Sequence, residues 1–190
     1  MRGQALGRFF SMTTTLAIDT STSRTSVGII KDGALIWVGF RDGATAHGPA
    51  LPALVQEAIT GRQVDEVVVG MGPGPFTGLR IGIAFARSFA LACNIPVRGI
   101  CSLDAIAAQV NEKDFIVTVD ARRKEVYWAR YRDGVHVGEP AVSIPADVGV
   151  ESVPIFSDLY PDLLAMAALS GNITEPIYLR HPDAVAMVDR

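Results

Sequence analysis

The sequence predicts an α/β fold with a mixed sheet, and three observations carry that prediction. Short strands joined by tight turns open the readable part of the chain, strands and helices then alternate, and the composition is apolar enough to bury them. Of the 190 residues, 49% are hydrophobic and only 19% charged, against about 25% charged in ordinary soluble domains. A chain of this size buries roughly 70% of its unfolded surface, so one or two compact units fold without metal or disulfide staples. The same composition excludes intrinsic disorder. The most apolar stretch, residues 81–95, is crossed by Arg87 and Ser88, which argues against a membrane span.

The elements follow in order from Thr15. Leu16-Ala17-Ile18 is a strand running into Asp19-Thr20-Ser21, and Ser26 to Ile30 is a second. Asp32-Gly33 is a hairpin signal ahead of a third strand over 34–40. Residues 47–60 form the first helix, because Leu51, Leu54, Val55, Ala58 and Ile59 recur at helical spacing and Gly61 stands at its end. Residues 64–71 read as a strand buried on both faces. A Gly/Pro turn over 72–76 leads into the second helix, 77–93, followed by a strand at 96–100 and a short helix over 102–110 capped by Ser102.

A second unit begins near Phe115. Strands are expected over 115–119 and 126–131, and Asp133-Gly134 turns into another at 135–137. Residues 139–154 read as loop, 158–170 as helix and 177–180 as a closing strand. No sequence repeat or low-complexity tract appears. Residues 1–12 carry Arg2 and Arg8 without a signal-peptide apolar region and read as a leader with no place in the fold, with Met12 a second start candidate.

Charge and cysteines narrow the function classes. A net charge of −3 argues against a protein whose main task is gripping nucleic acid phosphates, though not against a place in an assembly that handles RNA. Cys93 and Cys101 have no metal-binding spacing and fit a reducing compartment. His47, His136 and His181 are isolated, so no metal centre is expected. Asp19-Thr20-Ser21-Thr22 reads either as a phosphate loop or, more simply, as an Asx-type turn. The loop Gly70 to Gly78 could cradle an anion at a helix N-terminus, but Pro73 and Pro75 remove donors and no P-loop lysine follows. Asp120 with Arg122, Arg123 and Glu125 reads as a solvated hairpin sooner than as a catalytic cluster.

The second helix is the most informative element. Gly78, Gly82, Ala86 and Ala90 form a stripe of small residues four apart, flanked by Ile81, Phe85 and Phe89 on one side and by Leu79 and Ile83 on the other. Only Arg80, Arg87 and Ser88 are markedly polar. A helix apolar almost all round is buried on more than one side. Either it sits wholly within its own domain, or one face meets its sheet and another a partner helix.

Four segments together resemble the bacterial TsaB (YeaZ) family. They are Leu16 to Ser21; Gly72 to Gly82; Val119-Asp120-Ala121-Arg122 with Glu125-Val126-Tyr127; and Tyr178-Leu179-Arg180 with Pro182-Asp183-Ala184. The resemblance runs from about Thr15 to Ala184. It implies the actin/Hsp70/sugar-kinase (ribonuclease H-like) fold of two lobes, divided here as 13–111 and an abbreviated 112–190. It further implies a cytoplasmic, non-catalytic dimerisation subunit for a TsaD-like catalytic protein. That pair works with a TsaE-like ATPase to form threonylcarbamoyladenosine on tRNA, which this chain would meet only through the complex. Where the catalytic paralogue carries metal-binding histidines, this chain has Ser102 and Ile106, and no cofactor or metal is expected. The partner interface is expected on the first two helices, at His47, Leu51, Leu54, Val55, Leu79, Gly82, Ile83, Ala86, Arg87 and Ala90. A homodimer in the absence of that partner is a further option. Two other readings stand beside it: a small ATPase or kinase of the same fold using Asp19 and Asp120 around Mg-nucleotide, and a metalloprotease, against which the missing histidines argue.

Overall fold

The computed structural model describes residues 13–43, 46–148 and 153–180. The expected leader over 1–12, His181 and the Pro182-Asp183-Ala184 segment lie outside them. The first sheet contains β1 (Thr14–Asp19), β2 (Arg24–Lys31), β3 (Ala34–Asp42), β4 (Glu66–Gly70) and β5 (Val97–Ile100), in the order β3-β2-β1-β4-β5. The meander β1-β2-β3 is antiparallel, whereas β4 and β5 run parallel to β1, so the sheet is mixed. Asp32 and Gly33 both have positive φ, 52° and 77°, as a type I′ hairpin turn requires.

Pleating sends alternate side chains of this sheet to two cores. On one face, Leu16, Ile18, Val27, Ile29, Val67 and Val69 pack against α1 (His47–Ile59) and α2 (Phe76–Cys93). On the other, Ala17, Ile30, Val68 and Ile100 meet Leu163 and Met166 of α4 (Leu163–Ala168) and Ala105 of α3 (Ser102–Ala107). Burial on both faces is why β1 and β4 read as continuous apolar runs. Gly28 lies under α4, where a Cβ would come within 2.9 Å of a Leu163 methyl.

The second sheet contains β6 (Asp114–Asp120), β7 (Val126–Arg132), β8 (Val135–Ser143) and β9 (Ile155–Phe156), in the order β8-β7-β6-β9. Leu103 and Ile106 of α3 fill the core it forms with Phe115, Val117, Ala129 and Tyr131. The fold is thus an α/β arrangement of two mixed sheets with helices between and outside them.

Residues 112–190, expected as one lobe, divide. The second sheet takes its strands from 114–143 and 155–156, but α4 and residues 169–177 return to the first sheet. Arg98 donates to the carbonyls of Ala167 and Leu169, and the Ile173 and Ile177 amides donate to Gly99 and Met71. Polar anchors of this kind have no periodicity, so the sequence pattern does not show them.

Other elements differ at their ends. β8 runs nine residues, to Ser143 and so into the start of the expected 139–154 loop, because it pairs along β7 while its outer positions stay exposed and lose alternation. The helix expected over 158–170 is only six residues, capped by Asp162, whose carboxylate accepts from the Ala165 amide at 2.7 Å. Asp158 has φ 59° and Pro161 follows, which keeps the preceding residues out of the helix. Residues 177–180 form no strand. The Ser102 hydroxyl, expected as a helix cap, donates instead to Asp19 at 2.7 Å.

Candidate functional site

Nine of the ten residues expected at a partner interface lie inside the first lobe. His47, Leu51, Leu54, Val55, Leu79, Ile83, Ala86 and Ala90 are at most 4% exposed, and Gly82 is buried with them. The small-residue stripe of α2 serves close approach to the β1–β2 turn. A Cβ on Gly78 would run into the Thr20 carbonyl and one on Gly82 into its hydroxyl, while the Thr20 hydroxyl donates to the Gly78 carbonyl at 2.8 Å. His47 lies against the same turn, its Nδ1 2.8 Å from Thr25 Oγ1. Burial holds the His47 imidazole below its ordinary pKa, opposed in part by a backbone hydrogen bond at Thr22. Arg87 alone of the ten is exposed, and it donates to the Thr174 carbonyl.

The side of α2 that remains open carries different residues. Ile81, Phe85 and Phe89, four apart, are half-buried, and the two phenyl rings stack with centroids 6.3 Å apart. Ala84, Leu91 and Ala92 are exposed beside them, Leu91 at 83%. By length and hydropathy α2 is the one described helix that would suffice to cross a membrane, yet its buried side is the lobe's own core. A side chain with no exposed surface touches no partner, so the outward row is what α2 offers. The wheel shows both flanks of the stripe as apolar and does not say which one the sheet takes. Exposed apolar surface is not confined to α2: Leu35, Ile36, Val38 and Phe40 on the edge strand β3 are each more than 40% exposed.

The Asp19 turn is closed. Asp19 is 1% exposed and its carboxylate accepts from the Ser21 amide at 2.9 Å, the Ser21 hydroxyl at 2.8 Å and Ser102 at 2.7 Å. This is the Asx turn that the sequence favours. Burial raises the Asp19 pKa, and the hydrogen bonds from Ser102 and Ser21 lower it in part. Gly70 stands directly beneath, where a Cβ would meet the carboxylate and Ser102. The cavity between this turn and the second lobe, lined by Thr22, Ser23, Asp120 and Tyr160 among others, holds about 90 Å³, well under the several hundred of small-molecule sites.

The equivalent turn of the second lobe is open and basic. Asp120 accepts from the Arg122 amide at 2.8 Å, and Arg122, Arg123 and Lys124 follow in succession with φ of 64°, 56° and 62°. Left-handed backbone costs a residue with a Cβ about 1–2 kcal/mol, so this loop is held there by its surroundings. The Ala121 amide donates to Glu125 at 2.9 Å, Arg180 donates to the Ala121 carbonyl at 2.7 Å, and Arg180 also pairs with Glu125. Between this loop, the start of α2 and residues 178–180 lies a cavity of about 460 Å³. Sequence reasoning singled out its parts without joining them; the available signal was a hairpin turn of three basic residues with no Gly or Asn.

Among the described residues no three His, Cys, Asp or Glu side chains gather as metal ligands would. Ser102 and Ile106, at the positions compared with metal-binding histidines, are buried. Burial, with the Asp104 carboxylate next in effect, pushes the Cys101 thiol up to about 12, so it is not a nucleophile.

A family model described as TsaD, tRNA N6-adenosine threonylcarbamoyltransferase, matches residues 44–149, more than half of the chain. An uncharacterized protein of Mycobacterium tuberculosis is 41% identical over 200 residues, covering 91% of this chain and 94% of that protein. The tRNA threonylcarbamoyladenosine biosynthesis protein TsaB of Escherichia coli is 33% identical over 141 residues, covering 68% of this chain and 61% of that protein. Among solved structures, an uncharacterized Pseudomonas aeruginosa protein with similarity to the peptidase YEAZ superposes with a TM-score of 0.75 at 26% identity, covering 89% of this chain and all of that one. YeaZ from the same organism gives 0.69 at 26% identity, covering 83% and 90%.

Proposed function

The chain belongs to the TsaB/YeaZ family, and on that premise we propose that it is a cytoplasmic, non-catalytic scaffold subunit in tRNA threonylcarbamoyladenosine biosynthesis, pairing with a TsaD-like catalytic protein. The observation that carries the reading is the outward side of α2, where Ile81, Phe85 and Phe89 stay half-buried beside exposed Ala84, Leu91 and Ala92. A partner helix laid on this row covers apolar surface worth about 25 cal/mol per Å² before association costs. The buried residues first expected at the interface, His47 to Ala90, act one layer down, holding α1 and α2 against the sheet so that the row is rigid. Sealing of Asp19 by Ser21 and Ser102, and the small space between the turns, favour a scaffold over an enzyme that binds Mg-nucleotide at Asp19 and Asp120. A TsaE-like ATPase and tRNA join through the catalytic partner.

The test is co-expression with a TsaD-like subunit, capture on that subunit and mass measurement of the complex. A heterodimer is expected from the natural chain. Phe85→Glu with Phe89→Glu removes it, at about 2 kcal/mol or more for each central anchor. A heterodimer that survives the double substitution moves the interface elsewhere, and ATP turnover by the isolated chain overturns the non-catalytic role.

A further inference from the structure

Two sheets present four strand edges, and three of these edges are blunted. Beside β5, the Ile173 amide donates to the Gly99 carbonyl and Asn172 accepts from the Gly99 amide at 3.3 Å, so the returning segment covers that edge. β9 is two residues long, and β8 carries Gly138 at φ 78°, Glu139 and Pro140 within its span. Short strands, charges and proline are the devices that stop a sheet edge from taking another strand. β3 lacks them. It is the outermost strand of the first sheet, nine residues long, without proline and with charge only at its last two positions, Arg41 and Asp42. Among the described residues no strand pairs with its outer side.

The exposed side chains of β3 gather on one face. Val38 stands opposite Gly28 and Leu35 opposite Ile30, positions that face α4, whereas Trp37 packs into the core under α1 and α2. Alternation from Trp37 puts Ile36 and Phe40 on the α4 side with Val38. Because α4 has only six residues, Ile36, Val38 and Phe40 remain 46%, 52% and 48% exposed. The register with β2 skips Ile36, which leaves 36–40 as a regular run beyond the irregularity. Phe40 is held in place: the Arg24 guanidinium lies 4.2 Å from its ring centre and 3.8 Å from that of Tyr160.

We propose that β3 is a dimerisation edge, pairing antiparallel with β3 of a second copy of this chain about a two-fold axis at Val38. The run is self-complementary in that register. Val38 faces Val38 of the second copy, Ile36 faces its Phe40, and Trp37 faces its Gly39, where a large ring compensates for a missing side chain. The same pairing sets the Arg41-Asp42 end of each copy toward the Lys31-Asp32 hairpin of the other, one charge of each sign on either side. Together with Leu35, at 41% exposed, the apolar side chains offer on the order of 300 Å² per copy, a patch large enough to mark an interaction site. The joined main-chain edges add to this, and the contact stays at the low end of specific interfaces, under about 1,200 Å² in all. A weak, concentration-dependent dimer follows. The α2 row lies on the opposite face of the sheet, so both surfaces can be occupied at once.

Sedimentation of the full chain over a wide range of concentration tests this. The mean mass should rise from that of one chain toward that of two. Val38→Lys sets like charges face to face and should weaken the dimer about tenfold or more while keeping its melting temperature. Phe85→Glu with Phe89→Glu should leave the dimer intact. Oxidation in a Cys93→Ser background, which removes the exposed cysteine, reads the register. Val38→Cys should cross-link to itself, whereas Ile36→Cys should cross-link to Phe40→Cys and not to itself. Only directly opposed residues come within disulfide reach, at about 4.5–5.5 Å between Cα atoms. A single mass at every concentration, or a dimer that Val38→Lys leaves unchanged, overturns the proposal. Loss of TsaD-like capture in Val38→Lys, with no dimer of the natural chain, gives the edge to that protein and overturns it as well. The α2 variants and the β3 variants alter opposite faces, so this proposal and the scaffold reading fail separately.

Discussion

The two lobes repeat one topology and put it to opposite use. In each, the first strand is central, a meander runs from it to one edge, and a parallel strand flanks it on the other side: β3-β2-β1-β4 against β8-β7-β6-β9. In each, that first strand ends in an aspartate whose carboxylate caps the amide two residues on, at 2.9 Å for Asp19 and 2.8 Å for Asp120. The first turn is then sealed by Ser21, Ser102 and Gly70, and α2 is drawn tight against it through Gly78 and Gly82. The second is left 67% exposed at Asp120 and is followed by three basic residues. The same local hydrogen bond therefore carries no function by itself; what packs around it decides between a structural knot and a charged platform.

The strongest way to break this comparison is Gly82→Leu. The side chain has no room beside Thr20, so the first lobe should lose about 3 kcal/mol through overpacking. That is roughly 6–12 °C in melting temperature for a chain of this size. Normal melting with loss of only the catalytic partner would return the stripe to the interface. Next comes a pair of hydroxyl and carboxyl deletions. Ser102→Ala leaves a buried carboxylate short of a donor and should cost about 1–3 kcal/mol by urea titration. Asp120→Ala, in the open turn, should stay within about 0.5 kcal/mol. Equal losses would mean that the two turns are equally structural.

The smallest effect separates the lobes by sign. Asp19 has its pKa raised by burial, so the folded state favours the protonated form. Its contribution is most favourable below the unfolded value of about 3.8 and is lost as pH rises through the folded pKa. Asp19→Asn should therefore gain on the natural chain as pH rises. Asp114 is the reverse: hydrogen bonds from Arg130 and Arg132 lower it to about 2. Its stabilisation is present above about 3.8 and lost as pH falls toward 2. Asp114→Asn should be the less stable protein at neutral pH and draw level in acid. Urea midpoints across that range check both, and curves of the same sign would refute the contrast.

Much of the first lobe is legible in the sequence because local rules and burial agree there. Asp32-Gly33 and Asp133-Gly134 form the hairpins their residues call for, with positive φ at all four positions. The spacing of Leu51, Leu54, Val55 and Ala58 marks the inward face of α1, and Gly61, at φ 69°, follows its end. The second lobe is less legible. β8 is exposed along most of its length, so alternation fades, and α4 is too short for a clear period. The cavity at Arg122 is assembled from segments more than a hundred residues apart in sequence, joined by Arg180 bonding to backbone carbonyls. No spacing rule spans that distance.

By itself the sequence determined the two-lobed α/β class, the hairpins, the principal helices and family membership, because periodicity, turn chemistry and motifs are local. Only the tertiary structure decided which flank of α2 meets the sheet, that its glycine stripe receives the Thr20 turn, and that residues 163–177 cross back to the first sheet. Those outcomes depend on which surfaces come together. A helix apolar on nearly every side is equally compatible with several neighbours until packing selects among them.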